Sequence, residues 1–538
     1  MATPTHDFYI DWGRDGTYGH ASANVTAIVE AFDCAGGMTT YNQEMGQAAR
    51  AAITLRNDAG QWLMDNVGAA YYSLLKRGVL IRWRLTYGGT TQQMWAGRIA
   101  GASVPNLSAF AANKQVMLQA SDWTDDMVAG TYAPKLTEDV RVDTELATVM
   151  ESGAVPMPYA SSGWVLGYST LEVNTTLIDM SGYYEFDTAQ ETLEYVGDES
   201  GTEQGTSAFG YIQDLVMAEM GGRFLYDPRA TKYRFRDRQR DLRTSTVTAT
   251  LTAALLAQTS TSGVQMPPLV WGDTMVSSVA LSYELRTAGA AGSVIWTAEN
   301  LPRLLRAGKD TRYSVRFRDP DALSPCGATD VLYPVAGTDY TANAASDGTG
   351  ADMLTYLRVL TEINARGASI RVFNTHATTD LYVRLMQIRG TPLVISDRRT
   401  VEKKDAANIG AHGLRHVPAD VPYASDERTV ESYAKILLAG GNPISRFSQA
   451  TFDAWTHDTL MQYARDVDIG ERVKINLSGD SWTEHSRDYI VVGYRYTIHS
   501  GKPSLGITWI LKPVVAARGW ILEDAVCGVL ETTTYVVF

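Results

Sequence analysis

Cysteine is scarce in this chain. Three cysteines occur among 538 residues, Cys34, Cys326 and Cys527, and no two of them form a Cys-x-x-Cys pair. A disulfide framework needs an even set of cysteines, and a thiolate zinc site needs closely spaced pairs. The sequence therefore predicts neither a disulfide-stapled fold nor a structural zinc site.

Long apolar runs are missing as well. No stretch reaches the roughly 18 apolar residues of a spanning helix, and residues 1–7 lack the basic start and apolar core of a signal peptide. We expect a protein that is made and folded in a cytoplasm. Its 538 residues, 45% apolar and 20% charged, are too many for one hydrophobic core, and about three or four domains are expected.

Signatures of common enzymes are also absent. There is no Gly-x-Ser-x-Gly, no P-loop, no His-Glu-x-x-His and no dinucleotide fingerprint, so we predict no catalytic residue, no metal site and no cofactor. His412 and His416 have the spacing of a helical metal pair, but Gly410 and Gly413 disfavour a helix and favour two loop histidines. Paired carboxylates for glycoside hydrolysis remain an alternative, because such acids need not be neighbours in sequence.

Basic residues are entirely missing from residues 142–222. This segment contains 14 acidic residues. They are Asp143, Glu145, Glu151, Glu172, Asp179, Glu185, Asp187, Glu191, Glu194, Asp198, Glu199, Glu203, Asp214 and Glu219. A surface of this kind should repel nucleic acid by the Coulomb force that draws basic patches to it.

The sign of the charge reverses in the next segment. Residues 223–243 hold eight basic residues against three acids. Within it, residues 232–236 alternate Lys232, Arg234 and Arg236 with two aromatics, the pattern of a strand with one basic face. Basic and aromatic residues together could bind nucleic acid. Period two places the aromatics on the opposite face, in the core, which favours a solvated or interface role for the basic face.

The N-terminal strand leads into a loop with partial likeness to a calcium site. Asp11, Asp15 and Gly16 match three positions of a calcium loop, but Gly13 and Ser22 stand where ligands are required. An Asp-Gly turn between strands is the preferred interpretation.

Short strands at roughly ten-residue spacing dominate the rest. Residues 79–87, 92–100 and 114–120 alternate apolar and polar side chains, as do residues 468–477, 489–499 and 505–511, which predicts barrels or sandwiches. Two helices are predicted. One is capped by Ser207 and the other by Ser425. Residues 353–363 fit either a strand or a helix, and residues 242–262, rich in Thr, Ser and Ala, are predicted to be a linker or a long loop.

Several segments occur in an order that resembles minor tail proteins of long-tailed bacteriophages, those with a baseplate-hub fold. The segments are Tyr9-Ile-Asp-Trp-Gly-Arg-Asp-Gly16, Ala52-Ile-Thr-Leu-Arg-Asn-Asp-Ala-Gly60, Trp95-Ala-Gly-Arg-Ile99, Leu118-Gln-Ala-Ser-Asp122, Gly210-Tyr-Ile-Gln-Asp-Leu215, Ile388-Arg-Gly-Thr-Pro-Leu393, the helix after Ser425, Asp468-Ile-Gly-Glu-Arg-Val473 and Tyr489-Ile-Val-Val-Gly493. They span most of the chain. Residues 263–350 match least.

The resemblance implies a mainly β protein with a few helices, of the α+β class, built as a multidomain hub with two tail-tube-like β-barrel domains. The implied domains are an N-terminal barrel at residues 1–125, an acidic α+β domain at 126–250, an inserted β-rich domain ending in a helix at 251–441, a second barrel at 442–515 and a tail at 516–538. Three copies would place six barrels in a ring.

The implied function is that of a structural virion protein, a tail-tip hub that joins tube to tip and is not an enzyme. Implied partners are tail-tube or distal-tail rings, the tape-measure protein and other tip or fibre proteins, with DNA passing through the channel unbound. Lumen-facing candidates are Glu185, Asp187, Glu191, Glu194, Asp198, Glu199 and Glu203, and interface candidates are Lys232, Arg234 and Arg236. A tail-associated glycan hydrolase and a receptor-binding module, with Trp296 or Trp455 exposed, are the alternatives.

Overall fold

A computed structural model describes most of the chain. The described residues are 3–13, 18–40, 43–58, 61–62, 71, 74–75, 77–103, 115–132, 134, 136–152, 182–197, 206–257, 275–424, 426–440, 447–477, 485–499 and 504–514. Asp15, Ser425, Cys527 and the predicted tail at 516–538 therefore lie outside them.

The described chain is mainly β with a few helices, as predicted. Its strands up to residue 252 are β1 (Thr5–Asp11), β2 (Val29–Gly37), β3 (Gln47–Arg56), β4 (Leu80–Tyr87), β5 (Thr90–Ser103), β6 (Gln115–Ser121), β7 (Thr131–Tyr132), β8 (Thr137–Arg141), β9 (Tyr184–Phe186), β10 (Thr192–Val196), β11 (Thr206–Ser207), β12 (Arg223–Asp227), β13 (Lys232–Arg236) and β14 (Val247–Thr252). The strands that follow are β15 (Ser278–Tyr283), β16 (Arg286–Ala288), β17 (Ser293–Thr297), β18 (Arg303–Leu305), β19 (Asp310–Arg316), β20 (Gly327–Thr329), β21 (Tyr340–Asn343), β22 (Leu357–Asn364), β23 (Gly367–Asn374), β24 (Leu381–Ile395), β25 (Arg399–Lys404), β26 (His416–Asp420), β27 (Gln449–Asp453), β28 (Arg472–Asn476), β29 (Ser486–His499) and β30 (Leu505–Pro513).

The helices are short. They are α1 (Thr124–Ala129), α2 (Val142–Glu151), α3 (Ala208–Ala218), α4 (Arg240–Arg243), α5 (Ala253–Ala257), α6 (Ala406–His412), α7 (Glu427–Gly440) and α8 (Asp458–Asp466), with 3-10 turns at Thr26–Ile28, Leu354–Tyr356 and Ala454–Thr456. The predicted cap of α3 is confirmed, because the Ser207 hydroxyl accepts the Gly210 N–H at 2.9 Å. Asp426 serves α7 in the same way, accepting the Thr429 N–H at 2.9 Å.

One sheet of eleven strands organises the molecule. Its path runs β1-β4-β5-β6-β3-β2-β29-β28-β14, and β30 joins β29 to β27. The strand-rich segments predicted at 1–125 and 442–515 therefore share one sheet, and their apolar faces share one core that contains Trp83, Trp95, Tyr496 and Trp509. The predicted strands at 79–87, 92–100 and 114–120 are confirmed as β4, β5 and β6.

The seam of this sheet is the antiparallel pairing of β2 with β29. It runs from Ala31 opposite His499 to Gly37 opposite Gly493. A Cβ on Gly493 would lie 2.1 Å from the Met38 carbonyl oxygen, and Gly37 has φ +80°. The two backbones therefore approach more closely than any residue with a side chain permits at that point. On the exposed side of the seam, Arg495 Nε donates to Asp33 at 2.9 Å.

The first strand is held from both sides. It pairs with β4, and on its other edge Ile10 N–H donates to the Ala23 carbonyl at 2.8 Å while Val25 N–H donates to the Phe8 carbonyl at 3.0 Å. Residues 23–25 lead through a 3-10 turn into β2, so the six N-terminal strands curl back toward one another.

The predicted linker at 242–262 is wrong over its described part. Val247–Thr252 forms β14, which pairs in parallel with β28, and α5 follows. Ala249 and Leu251 are buried in the main core while Thr248 and Thr250 alternate with them. A threonine-rich strand resembles a linker in composition. Its burial depends on pairing with β28, which is distant in the sequence.

Three smaller cores surround the sheet. Helices α1 to α3 pack with the hairpin β12–β13 on one core, and β15, β25, β26 and α7 form another. Between β15 and β25 the chain inserts a unit in which β24 pairs with β16, β17, β18, β20 and β21, stacked on the three-stranded sheet β19-β23-β22. The ambiguous segment 353–363 belongs to this unit as a 3-10 turn and the strand β22.

Candidate functional site

The hairpin β12–β13 connects the two halves of the main sheet. Tyr233 and Phe235 are fully buried, as predicted from their alternation, and lie in the core beside α3. The turn is shaped by Asp227, whose carboxylate accepts the N–H groups of Arg229 at 2.8 Å and Ala230 at 3.2 Å. This turn carries Arg229 into the space between the N-terminal and C-terminal strands.

Arg229 is the centre of that junction. Its side chain is 3% exposed. Its guanidinium donates to the carbonyls of Ala464 and Arg465 at 3.0 Å and to the Tyr496 hydroxyl at 2.5 Å. From the other half of the sheet, the Gln93 side chain donates to the Arg229 carbonyl at 2.8 Å. The turn is thus held by β5 on one side and by α8 and β29 on the other.

Two carboxylates balance the buried cations at this junction. Arg234 lies 2.7 Å from Asp227 and 3.6 Å from Asp468, and Arg229 lies 3.7 Å from Asp468. Burial and the neighbouring Asp468 raise the pKa of Asp227. The junction is therefore a largely buried network of two arginines and two acids, and removing one member of such a network is destabilising because it leaves buried charge uncompensated.

The acidic and basic candidates meet within one chain. Arg236 Nη2 donates to Glu185 at 2.9 Å and its Nη1 to Asp187 at 3.0 Å, because β13 pairs in parallel with β9. Partial burial alone would raise the pKa of Glu185, but the bond from Arg236 and its charge hold it below the ordinary value. Within the described residues, Arg236 of the basic strand therefore pairs with the protein's own acidic segment.

The other acidic and basic candidates differ from one another in burial and in ion pairing. Glu191 is buried and pairs with Arg238 at 3.1 Å, whereas Glu194 is exposed and forms no ion pair among the described residues. Lys232 is half-buried at the end of its strand. The remaining acidic candidates, Asp198, Glu199 and Glu203, lie outside the described residues.

A second pair of cations, around Asp241, was not anticipated from the sequence. Asp241 lies 3.0 Å from Lys512 and also bonds Arg223. Burial would raise the pKa of Asp241, but these two cations lower it to about 2. Lys512 is the penultimate residue of β30, so this contact ties the last described strand to the segment that follows the hairpin. Only spatial proximity identifies the Asp241–Lys512 contact, because the two residues are 271 positions apart in the sequence.

Glu44 should make stability depend on pH. Its carboxylate accepts a hydrogen bond from the Tyr433 hydroxyl at 3.3 Å. Burial raises the pKa of Glu44 from 4.5 to about 7. Between those values the unfolded chain has lost a proton that the folded protein keeps, so stability should fall as pH rises through this window. We expect Glu44→Gln to remove about 1–2 kcal/mol of that fall.

Urea unfolding of the wild type and Glu44→Gln at pH 5, 6, 7 and 8 measures the effect. The exposed Glu299 provides the matched control, since Glu299→Gln should leave the slope of stability against pH unchanged. An identical slope in the wild type and Glu44→Gln would contradict the assignment.

The remaining candidates from the sequence concern metal ligands. Asp11 is buried at the end of β1, while Asp15, the other calcium candidate, lies outside the described residues. The prediction that His412 and His416 lie in loops is wrong, because His412 ends α6 and His416 begins β26, with its Nδ1 3.0 Å from the Ser278 hydroxyl. No group of three or more metal-ligating side chains occurs among the described residues.

Two further observations concern surfaces. Trp296 and Trp455, proposed as exposed receptor-binding aromatics, are half-buried, against Tyr313 and His6 respectively. Within the described ranges, no helix has the length and apolar character needed to span a membrane.

Comparisons with known proteins gave matches among solved structures. No family model matches it, and no curated protein matches its sequence. Among solved structures, it is similar to a tail protein from Neisseria meningitidis MC58, with a TM-score of 0.44 and 10% identity over 94% of this chain and 96% of the other. It is also similar to the 43 kDa tail protein of prophage MuSo2 from Shewanella oneidensis, with a TM-score of 0.44 and 7% identity over 95% and 98% of the two chains.

A third similar structure comes from a secretion system. It is an Escherichia coli component of the type VI secretion system, described as structurally similar to two T4 bacteriophage tail proteins, with a TM-score of 0.33 and 9% identity over 90% of this chain and 74% of that one.

Proposed function

We propose that this protein is a structural component of a phage tail tip, a baseplate hub that connects the tail tube to the tip and lines the channel. The observation that supports it most is the shared sheet. Strands from both ends of the chain pair at the β2–β29 seam over one core, and a hairpin from the middle of the chain locks them together. Such a platform suits a protein that carries load between rings.

The two halves of the sheet are proposed to act as two tube-like barrels, residues 1–125 and 442–515. The return of residues 23–25 onto β1 favours closure of the first half. The long strand β29 pairs with β30 along one edge and with β28 and then β2 along the other. It is therefore hydrogen-bonded to strands of both halves of the sheet. Three such chains would present six barrels to a hexameric tube.

Fewer acidic residues are available for the proposed channel lining than the composition indicates. Glu185, Asp187 and Glu191 are bound to arginines, which leaves Glu194 as the described lining candidate with a free charge. Asp198, Glu199 and Glu203 are proposed to continue this surface. Among the basic candidates, Arg234 and Arg236 have partners within the chain, so Lys232 is the one we propose for contact with a neighbouring protein.

Native mass spectrometry and electron microscopy of the virion test the proposal. We expect a homotrimer that binds tail-tube or distal-tail rings and lies at the tail tip next to the tape-measure protein. A monomer that binds neither ring, or a position elsewhere in the virion, would contradict it. Release of sugar from host envelope glycans by the purified protein would instead favour the glycan hydrolase.

A further inference from the structure

The three-stranded sheet of the inserted unit has an arginine-rich outer face. Tyr313, Val315, Ile370 and Val372 point inward and are buried. The residues that alternate with them point outward and form the surface named here the arginine face. They are Asp310, Arg312, Ser314 and Arg316 on β19, Ser369, Arg371 and Phe373 on β23, and Arg358, Leu360 and Glu362 on β22. Four arginines against two acids stand out in a chain of net charge −13.

The arrangement of these arginines is unfavourable for an isolated sheet. Arg312 lies directly opposite Arg371 across β19 and β23, and like charges in such cross-strand pairs destabilise a sheet. Arg371 is compensated by Asp310 at 2.7 Å. Arg312, Arg316 and Arg358 form no ion pair among the described residues. An external anionic surface would relieve this repulsion.

The same face also has the apolar content of a protein interface. Leu360 is 46% exposed and lies opposite Arg371, and Arg358 lies opposite the half-buried Phe373. The Arg371 guanidinium stacks 4.5 Å from the centre of the Phe373 ring. Arginines around aromatic and aliphatic side chains are enriched where proteins bind proteins. A flat polysaccharide or nucleic acid would not need the exposed leucine.

A surface of opposite charge occurs elsewhere on the chain. Glu138, Asp139, Glu194 and Asp330 are exposed and form no ion pair among the described residues. Together they are named the acidic patch. Glu138 lies opposite Tyr195 across β8 and β10, and the pKa of Tyr195 is raised by burial and then by the charges of all four carboxylates. Glu138 and Glu194 come from the paired strands β8 and β10, and Asp330 comes from the inserted unit.

We propose that the arginine face of one copy docks on the acidic patch of a second copy. The chain's net charge of −13 makes two copies repel unless opposite surfaces meet. A contact between two different patches is heterologous, and heterologous contacts repeat around a ring. The proposal deepens the proposed function by giving the homotrimer its contact surfaces.

Charge reversal followed by charge exchange tests it in the full-length protein. Arg312→Glu with Arg358→Glu should raise the concentration needed for half-assembly by at least about tenfold, and so should Glu138→Lys with Glu194→Lys. The variant carrying all four changes should assemble within about threefold of the wild type, because the pairing is restored with opposite sign. Sedimentation velocity across a concentration series measures each value.

The matched control makes the same charge change elsewhere. Arg415→Glu with Arg428→Glu alters two exposed arginines outside the face and should change assembly by less than about threefold. Far-UV circular dichroism checks that each variant folds. If a reversed variant does not fold, the wild type supplies the test, because its trimer should dissociate more at 500 mM salt than at 50 mM salt. A trimer that ignores both reversals and salt would overturn this inference but leave the hub proposal intact. A wild-type monomer would contradict both.

Discussion

Replacing Arg229 with methionine should lower the free energy of unfolding by about 3–5 kcal/mol. Methionine matches much of the arginine's length but donates no hydrogen bond. The carbonyls of Ala464 and Arg465 would lose their donors at a buried position, and Asp468 would lose a buried counter-charge. Asp468 would keep Arg234 at 3.6 Å, but leaving two buried carbonyl acceptors without donors costs more than losing a surface pair. Urea unfolding measures the difference.

Two variants separate the network from mere positive charge. Arg229→Lys keeps the charge but cannot reach three acceptors in a planar fork, so it should recover less than half of the loss. Arg50→Ala provides the exposed control, because its side chain is 73% exposed beside Asp125 and should cost less than about 1 kcal/mol. If Arg229→Met costs no more than Arg50→Ala, the hairpin does not hold the junction.

Replacing Gly493 with alanine should lower the free energy of unfolding by about 3 kcal/mol and loosen the seam. The new methyl group would lie 2.1 Å from the Met38 carbonyl oxygen and 3.1 Å from the Gly36 carbonyl oxygen. Both are backbone atoms, so no side chain can rotate away, and β2 must separate from β29. Faster amide hydrogen exchange in residues 31–37 and 493–499 should accompany the loss.

Gly101 is the control for this change. It also lies in a strand of the main sheet, but a Cβ there meets no atom within 4 Å. Gly101→Ala should therefore change stability by less than about 1 kcal/mol. Equal effects of the two substitutions would mean that the close approach of the two backbones has no special cost.

Local patterns in the sequence predict much of the fold. Ser207 before an apolar stripe predicts a capped helix, and the structure has that cap. Alternation in residues 232–236 correctly assigns Tyr233 and Phe235 to the core. These predictions succeed because caps and alternation act within a few residues, where the backbone geometry is the same in every protein.

Predictions that depend on distant partners fare worse. Residues 247–252 look like a linker because their threonines and small apolar residues carry a weak pattern, yet β28 makes them a strand. Arg236 looks available for another protein, yet Glu185 and Asp187 already bind it. Nothing in the sequence near Arg229 indicates that Ala464, Arg465 and Tyr496 will surround it.

The sequence by itself determined a mainly β chain with two strand-rich ends, an acidic middle and its capped helices, since composition and short-range periodicity set these features. Tertiary structure alone decided that the two ends form one sheet and that Arg229 is bonded to both of its halves. The physical reason is that pairing of strands and burial of charges depend on contacts between residues hundreds of positions apart. Such contacts leave no spacing in the sequence from which they could be predicted.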